Sequence, residues 1–283
     1  MYELLEYCIR GSLLGVTYGV LAFPIALLFI ATDTVDLAVG AYAVIAGAVA
    51  VLIDGQVGIL LALMAAIGAA GVVGAISLGL SARSKSDHLT LVLASFGLAL
   101  FLESMVLTLF GSDPFIKRSF SVFWSVGGIS VSPQAVINLG IGLALLGALY
   151  VLLYKTAFGR EMRASAVNPR GANLAGIQVR RLQFFTFLLS GFLAGTAGLL
   201  IVYTAGMDFA VGLHLTLSGF GAAIIFGLRG PLQGFGGGLA IGMVETLSFG
   251  YASGAAASLL PLVFIFVVLA FGRSSLQGVA GRA

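Results

Sequence analysis

The sequence predicts an all-α integral membrane protein: a polytopic helical bundle of about eight to nine transmembrane segments, with inverted repeats and short or broken helices. Three observations predict it. Only 9% of the 283 residues are charged, 60% are hydrophobic and the mean hydropathy is +1.12, whereas an ordinary soluble domain carries about 25% charged residues. So little charge cannot cover the surface of a soluble globule of this size. Apolar runs near 20 residues recur along the chain, the length a helix needs to cross about 30 Å of hydrocarbon. The 40 glycines suit helices that approach closely in lipid. A membrane β-barrel requires ~10-residue alternating segments instead, and the chain lacks them.

Apolar segments follow one another at about 8–30, 38–53, 57–80, 89–110, 135–154, 182–203, 213–228, 231–249 and 256–272. Met1 to Arg10 contains Glu3 and Glu6 and has no basic n-region, so the first span is expected to remain in the mature protein. The 38–53 and 213–228 segments are short for a full crossing and rich in small residues, which predicts tilted, broken or re-entrant helices. The 111–134 loop carries Pro114, Gly127, Gly128 and Pro133, so it reads as irregular. Its Phe115, Phe120, Phe123 and Trp124 fit an interfacial anchor, or a docking site for an external partner.

The stretch Lys155–Arg181 holds six of the fourteen basic residues, with Glu161 as its one acid, between two nearly uncharged spans. The positive-inside rule places it in the cytoplasm, with Arg83, Lys85, Arg229, Arg273 and Arg282. The N-terminus and the 111–134 loop then lie outside and the C-terminus inside; Lys117 and Arg118 go against the trend. Within this cytoplasmic loop, Gly159 breaks the preceding span and Arg160 to Val167 form about two turns of helix. Asn168-Pro169 interrupts that helix, and a second one runs from Arg170 to Ala175 before Gly176. Met162 and Leu174 are its apolar knobs, Ala164 and Ala166 its small surfaces. Such a helix–turn–helix can fill a partner's groove, or simply anchor the chain.

Residues 36–58 and 208–230 align at a spacing of 172, with Asp36/Asp208, Ala38/Ala210, Val39/Val211, Gly40/Gly212 and Gly47/Gly219 among the identities. An odd number of crossings separates the copies, so they are oppositely oriented, and inverted repeats of short, Gly-interrupted segments point to a transport path between them. Asp36 and Asp208 each precede an apolar segment, where a carboxylate caps free N–H groups; direct substrate contact is the other reading. Glu103 and Glu245 lie within spans and are possible pathway acids, though a hydrogen bond to a neighbouring helix explains them equally.

Nothing points to an enzyme. No phosphate-binding loop is present, because none of Lys85, Lys117 and Lys155 follows a glycine. Cys8 is alone, and His88 and His214 lack a second ligand at metal spacing. Catalytic and metal-ligating residues are therefore none, and nucleic acid is not expected as a partner, because the formal +3 charge sits in loops. A secondary transporter would need ion-coordinating or proton-carrying groups at mid-membrane, in which the chain is poor; a channel would need no energy input.

The pattern G-R-x-M-R-A-x-A-x-N-x-x-x-A-x-x-x-G-I at Gly159–Ile177, followed by Ser190-Gly-x-x-Ala194-Gly195-x-Ala197-Gly198, resembles the membrane subunits of bacterial branched-chain amino-acid ABC importers. Asp36-Leu-Ala-Val-Gly40 is similar to the D-L-S-V-G of related sugar permeases, and urea and nucleoside permeases are further relatives. The resemblance implies a permease in the bacterial cytoplasmic (inner) membrane that binds no cofactor itself. Its partners would be a second homologous permease subunit, two cytoplasmic ATP-binding subunits carrying ATP and magnesium, an external substrate-binding protein and membrane lipid. Gly159, Arg160, Arg163, Ala164, Asn168, Gly176 and Ile177 would then form the element that docks on the ATPase. The whole chain, 1–283, would be one transmembrane permease domain.

Overall fold

The short apolar segments do fold as short helices. In the computed structural model, which describes residues 2–32, 34–83, 88–117, 124–126, 129–227, 230–252 and 255–271, the chain runs as α1 (Tyr2–Thr32), α2 (Val39–Leu52), α3 (Gly55–Arg83), α4 (His88–Phe110), β1 (Trp124–Val126), β2 (Ile129–Val131), α5 (Pro133–Lys155), α6 (Ala157–Val167), α7 (Pro169–Leu174), α8 (Val179–Thr204), α9 (Val211–Ile225), α10 (Pro231–Tyr251) and α11 (Ala255–Phe271). The 14 residues of α2 and 15 of α9 give about 21 and 22 Å at 1.5 Å per residue, well short of the hydrocarbon thickness. Five helices among the described residues are long and apolar enough to span a membrane: α1, α3, α4, α5 and α8. This is a multi-pass helical membrane protein.

Burial sorts the helices into a centre and a shell. The spanning windows of α1 and α8 are 78% and 67% buried, those of α4 and α5 only 22% each. The outward faces of the shell are themselves apolar, with Phe101, Leu109, Val151 and Phe249 exposed, as lipid contact requires.

Packing recurs at the spacing of 172 residues. α1 lies along α10 as α8 lies along α3, α9 packs on α1 as α2 packs on α8, and α9 touches α10 as α2 touches α3. The seams are made by small residues. On α10, Gly234, Gly238 and Gly242 are buried where Ala62, Ala66 and Ala70, 172 positions earlier, are buried on α3. A Cβ on Gly15 would stand 2.6 Å from the Gly238 carbonyl oxygen, and one on Gly191 would stand 2.6 Å from Ala70 Cβ. In lipid, where apolar burial alone does not draw helices together, backbone approach of this kind drives association.

The 111–134 loop departs from the irregular course its prolines and glycines predict. Trp124 to Val126 pairs antiparallel with Ile129 to Val131, joined in sequence through Gly127-Gly128, a dipeptide that favours two-residue hairpins. Phe115 exchanges backbone hydrogen bonds with Met207 at 2.9 and 3.0 Å. Lys117, out of place by the charge rule, is engaged locally: its Nζ donates to the Ala50 carbonyl at 2.8 Å and pairs with Asp54 at 2.7 Å. It thus meets the negative end of the α2 dipole. Phe120, Phe123, Lys85, Arg118, Arg229, Arg273 and Arg282 lie outside the described residues, as do the side chains of Arg83, His88 and Trp124.

Candidate functional site

Two places gather the residues singled out by sequence: the crossing of α2 with α9, and the α6–α7 cap. At the crossing the helices run antiparallel, since Leu37 and Gly40 meet Thr216 while Gly47 meets Met207. Gly40 and Gly212 lie against each other; a Cβ on Gly40 would fall on the Gly212 carbonyl. Only glycine permits that approach.

Asp36 and Asp208 make the same turn. The Ala38 N–H donates to Asp36 Oδ1 at 2.8 Å and the Ala210 N–H to Asp208 Oδ1 at 2.9 Å. Each bond falls on the residue before its helix, so the free N–H groups of the first turn are met from elsewhere. Gly40 N–H donates to Thr216 Oγ1 of α9 at 2.8 Å, and Leu213 N–H donates to Glu103 Oε1 of α4 at 3.1 Å. Asp36 is 4% exposed and its Oδ2 accepts from the Tyr42 hydroxyl at 2.9 Å. Asp208 is only half-buried and lies near Glu103. The Leu37 N–H donates to Ser95 Oγ at 3.1 Å. Thr216, Tyr42 and Ser95 had no signal in the sequence beyond a hydroxyl in an apolar run.

Glu103 therefore acts as a cap for α9, supplied by another helix. Glu245 sits apart from it on α10, hydrogen-bonded to Tyr18 of α1, with Oε2 buried and without a hydrogen-bond partner. Among the described residues no group of three His, Cys, Asp or Glu side chains is placed to hold a metal ion.

The cap is a helix–turn–helix, and it corrects three details. Thr156, not Gly159, ends the preceding span: it terminates α5, starts α6, and its hydroxyl accepts from Gly159 N–H at 3.2 Å. Gly159 lies inside α6, pressed against the Leu152 and Leu153 carbonyls. Met162 is no outward knob, being 0% exposed and part of the core. The second helix spans Pro169–Leu174, with Asn168 as its cap, accepting from Gly171 N–H at 2.9 Å.

The end of α7 closes with Gly176 at φ +86°. Ile177 N–H reaches back to the Ala172 carbonyl at 3.0 Å and Gly176 N–H to that of Asn173 at 3.1 Å. This pair of bonds stops a helix cleanly. The outward face carries Arg160, Glu161, Ala164, Val167 and Leu174, the last two 88% and 91% exposed. Arg163 is half-buried, its guanidinium 4.9 Å above the Tyr154 ring. A cleft of about 490 Å³ between the cap and α8 is lined by Phe158, Glu161, Ile177, Arg181 and Phe185, and Arg180 ties α8 to the Leu78 carbonyl of α3 at 3.1 Å.

Residues 7–269 match the family model described as branched-chain amino acid transport system / permease component. The chain belongs to that family. Over 251 residues this permease is 32% identical to a probable branched-chain amino acid transport permease protein LivH of Methanocaldococcus jannaschii, covering 83% of this chain and 78% of that relative. It is also similar to the guanosine ABC transporter permease protein NupQ of Bacillus subtilis, 33% identical over 128 residues, 44% of this chain and 37% of that one. Among solved structures, PsaBC from Streptococcus pneumoniae in complex with Fab shares the fold: TM-score 0.50 at 12% identity, over 93% of this chain and 90% of that one. The permease is thus a transport component of the ABC permease group whose members include branched-chain amino acid and nucleoside permeases.

Proposed function

We propose that this permease is the membrane subunit of an importer that moves a branched-chain or related amino acid, with ATP and magnesium used in two cytoplasmic partner subunits. A second homologous permease subunit and an external binding protein complete the assembly in the bacterial inner membrane. The N-terminus and the β1–β2 hairpin face outside; the α6–α7 cap and the C-terminus face the cytoplasm.

The observation that carries this reading is the cap. Two helices, each closed by its own side-chain cap, hold Leu174 and Val167 out into solvent while Gly159 and Met162 lock the reverse side into the bundle. In a permease with no phosphate-binding loop of its own, such a rigid projection is where an ATPase delivers force. Arg160 and Ala164 belong to the contact surface, Arg163 braces α6 on Tyr154, and Asn168, Gly176 and Ile177 set the shape. The substrate path follows the α2–α9 crossing, with the 36–58 and 208–230 segments acting as inverted repeats around Gly40 and Gly212.

The test is uptake into vesicles holding the chain and its co-expressed subunits. Leucine uptake should require ATP, and Leu174→Asp should weaken ATPase binding about thirtyfold or more, the size of an interface hot spot. Uptake that ignores ATP and follows a sodium or proton gradient would overturn the reading. Similarity to a guanosine permease makes guanosine the competing substrate in the same assay.

A further inference from the structure

Between α5 and the first turn of α10 lies an apolar groove that none of the described residues fills. Its volume is about 430 Å³, and Leu143, Leu146, Gly147, Tyr150 and Leu232 line it. Tyr154 stands at the end of the groove next to the cap, its ring tilted against Tyr150 at a centroid distance of 4.9 Å. The Arg163 guanidinium lies 4.9 Å from the centroid of the Tyr154 ring, and Lys155 and Arg160, both exposed, flank the same turn. The start of α10, which has no side-chain cap, forms the opposite wall and adds the positive end of its dipole. Glu161, the acid of this helix, lines the cleft against α8 instead.

We propose that this groove binds one acyl chain of a membrane phospholipid whose anionic headgroup sits at the Arg163–Tyr154 mouth. The walls are aliphatic and aromatic over the length of α5 that faces the membrane, so the occupant presents hydrocarbon. The mouth is cationic, so the headgroup is anionic, and basic pockets between helices at the cytoplasmic surface favour such headgroups. Interfaces between proteins are enriched in tyrosine and arginine but depleted of lysine, so it is the exposed Lys155 beside the mouth that favours an anionic headgroup over a second protein subunit. The placement in the inner leaflet rests on the orientation proposed above. It makes the lipid a brace for α6, since Arg163 joins the headgroup to the cap.

Gly147 gives a clean test. Beyond its two chain neighbours and the adjoining backbone of α5, no atom of the described residues lies within 4 Å of the position its Cβ would take, so Gly147→Leu fills the groove without straining the fold. Gly140, equally open, provides the control. The full chain, with the subunits that accompany it, is reconstituted in vesicles of phosphatidylglycerol and phosphatidylcholine in equal amounts, re-extracted and washed. Retained lipid is then counted by mass spectrometry. The wild type should retain phosphatidylglycerol in preference to phosphatidylcholine. Arg163→Gln should cut that preference about fivefold, the worth of one basic side chain at a membrane surface. Gly147→Leu should lose the retained lipid with its subunit content unchanged, and Gly140→Leu should match the wild type.

A wild-type ratio equal to that of the vesicles would overturn the proposal. So would full retention in Gly147→Leu, or loss of a companion subunit from that variant, which would make the groove a protein interface. ATP-driven uptake is read separately on the same vesicles. Failed lipid retention with intact uptake therefore sinks this inference alone, and absent uptake with selective retention sinks only the importer reading.

Discussion

Thr216→Val tests whether the two short helices depend on each other for their caps. Gly40 is the second residue of α2, so its N–H has no acceptor within its own helix; Thr216 Oγ1, 2.8 Å away and fully buried, is the acceptor it has. Valine keeps the branching of threonine and puts a methyl in place of the hydroxyl, which besides accepting from Gly40 lies within donating distance of the Leu37 and Gly212 carbonyls at 3.2 and 3.1 Å. A buried N–H left without a partner costs about 1–3 kcal/mol, whereas hydrogen bonds between membrane helices contribute less, averaging about 0.6 kcal/mol with a maximum near 1.7. Roughly 1–1.7 kcal/mol is therefore expected, which for a chain of this size lowers Tm by about 2–3 °C. Melting of the detergent-purified protein, followed by loss of its monodisperse chromatographic peak, resolves such a shift. Thr216→Ser, which retains the hydroxyl, should recover most of it. A valine variant that melts with the wild type, or a serine variant as unstable as valine, would refute the cross-capping argument.

Three other outcomes follow from the same contacts. Gly40→Ala drives its Cβ onto the Gly212 carbonyl, backbone that cannot yield, and should cost about 1–3 kcal/mol or more; Gly68→Ala, with open space around it, should melt no lower than the wild type. Glu103→Gln keeps an oxygen for Leu213 N–H and should leave stability and uptake unchanged, while Glu103→Ala should lose about 1 kcal/mol by the same melt, the usual worth of a helix cap; uptake lost in the glutamine variant would show that the charge itself is used. The Lys117 ammonium beside Asp54 holds its carboxyl below the ordinary value of 3.8. A carboxylate depressed in the folded state contributes stability above its unfolded pKa and loses it as pH falls through the folded value. The pair should thus persist from neutral pH to below 3.8, and Asp54→Asn should erase the acid-dependent step in exchange protection of the Lys117 backbone N–H.

How much of this was legible in the sequence depends on the range of the interaction. Hydropathy reads a local average, so it found the spans and also the shortness of α2 and α9, whose boundaries fall within a few residues of the apolar segments. Punctuation is local as well: Asn168-Pro169 and Gly176 act through their own backbone, and the structure uses them as a cap and a left-handed stop. Gly159 misled because a glycine in a helical run looks like a breaker, whereas here the missing Cβ lets α6 close onto the α5 carbonyls and the cap is the threonine three residues earlier. Met162 was in fact readable. Gly159, Met162 and Ser165, all buried, recur every three residues on one face of α6, opposite Arg160, Glu161 and Ala164, so helical phase alone turns the methionine inward. The partners at the crossing carry no such trace. Glu103 and Leu213 are 110 residues apart, Gly40 and Thr216 176, and each pair exists only because the helices cross where two glycines let them touch. A lone acid in a span and a lone threonine in an apolar run become the caps of two half-length helices only in three dimensions. That is why the energetics of the crossing, rather than its location, had to come from the structure.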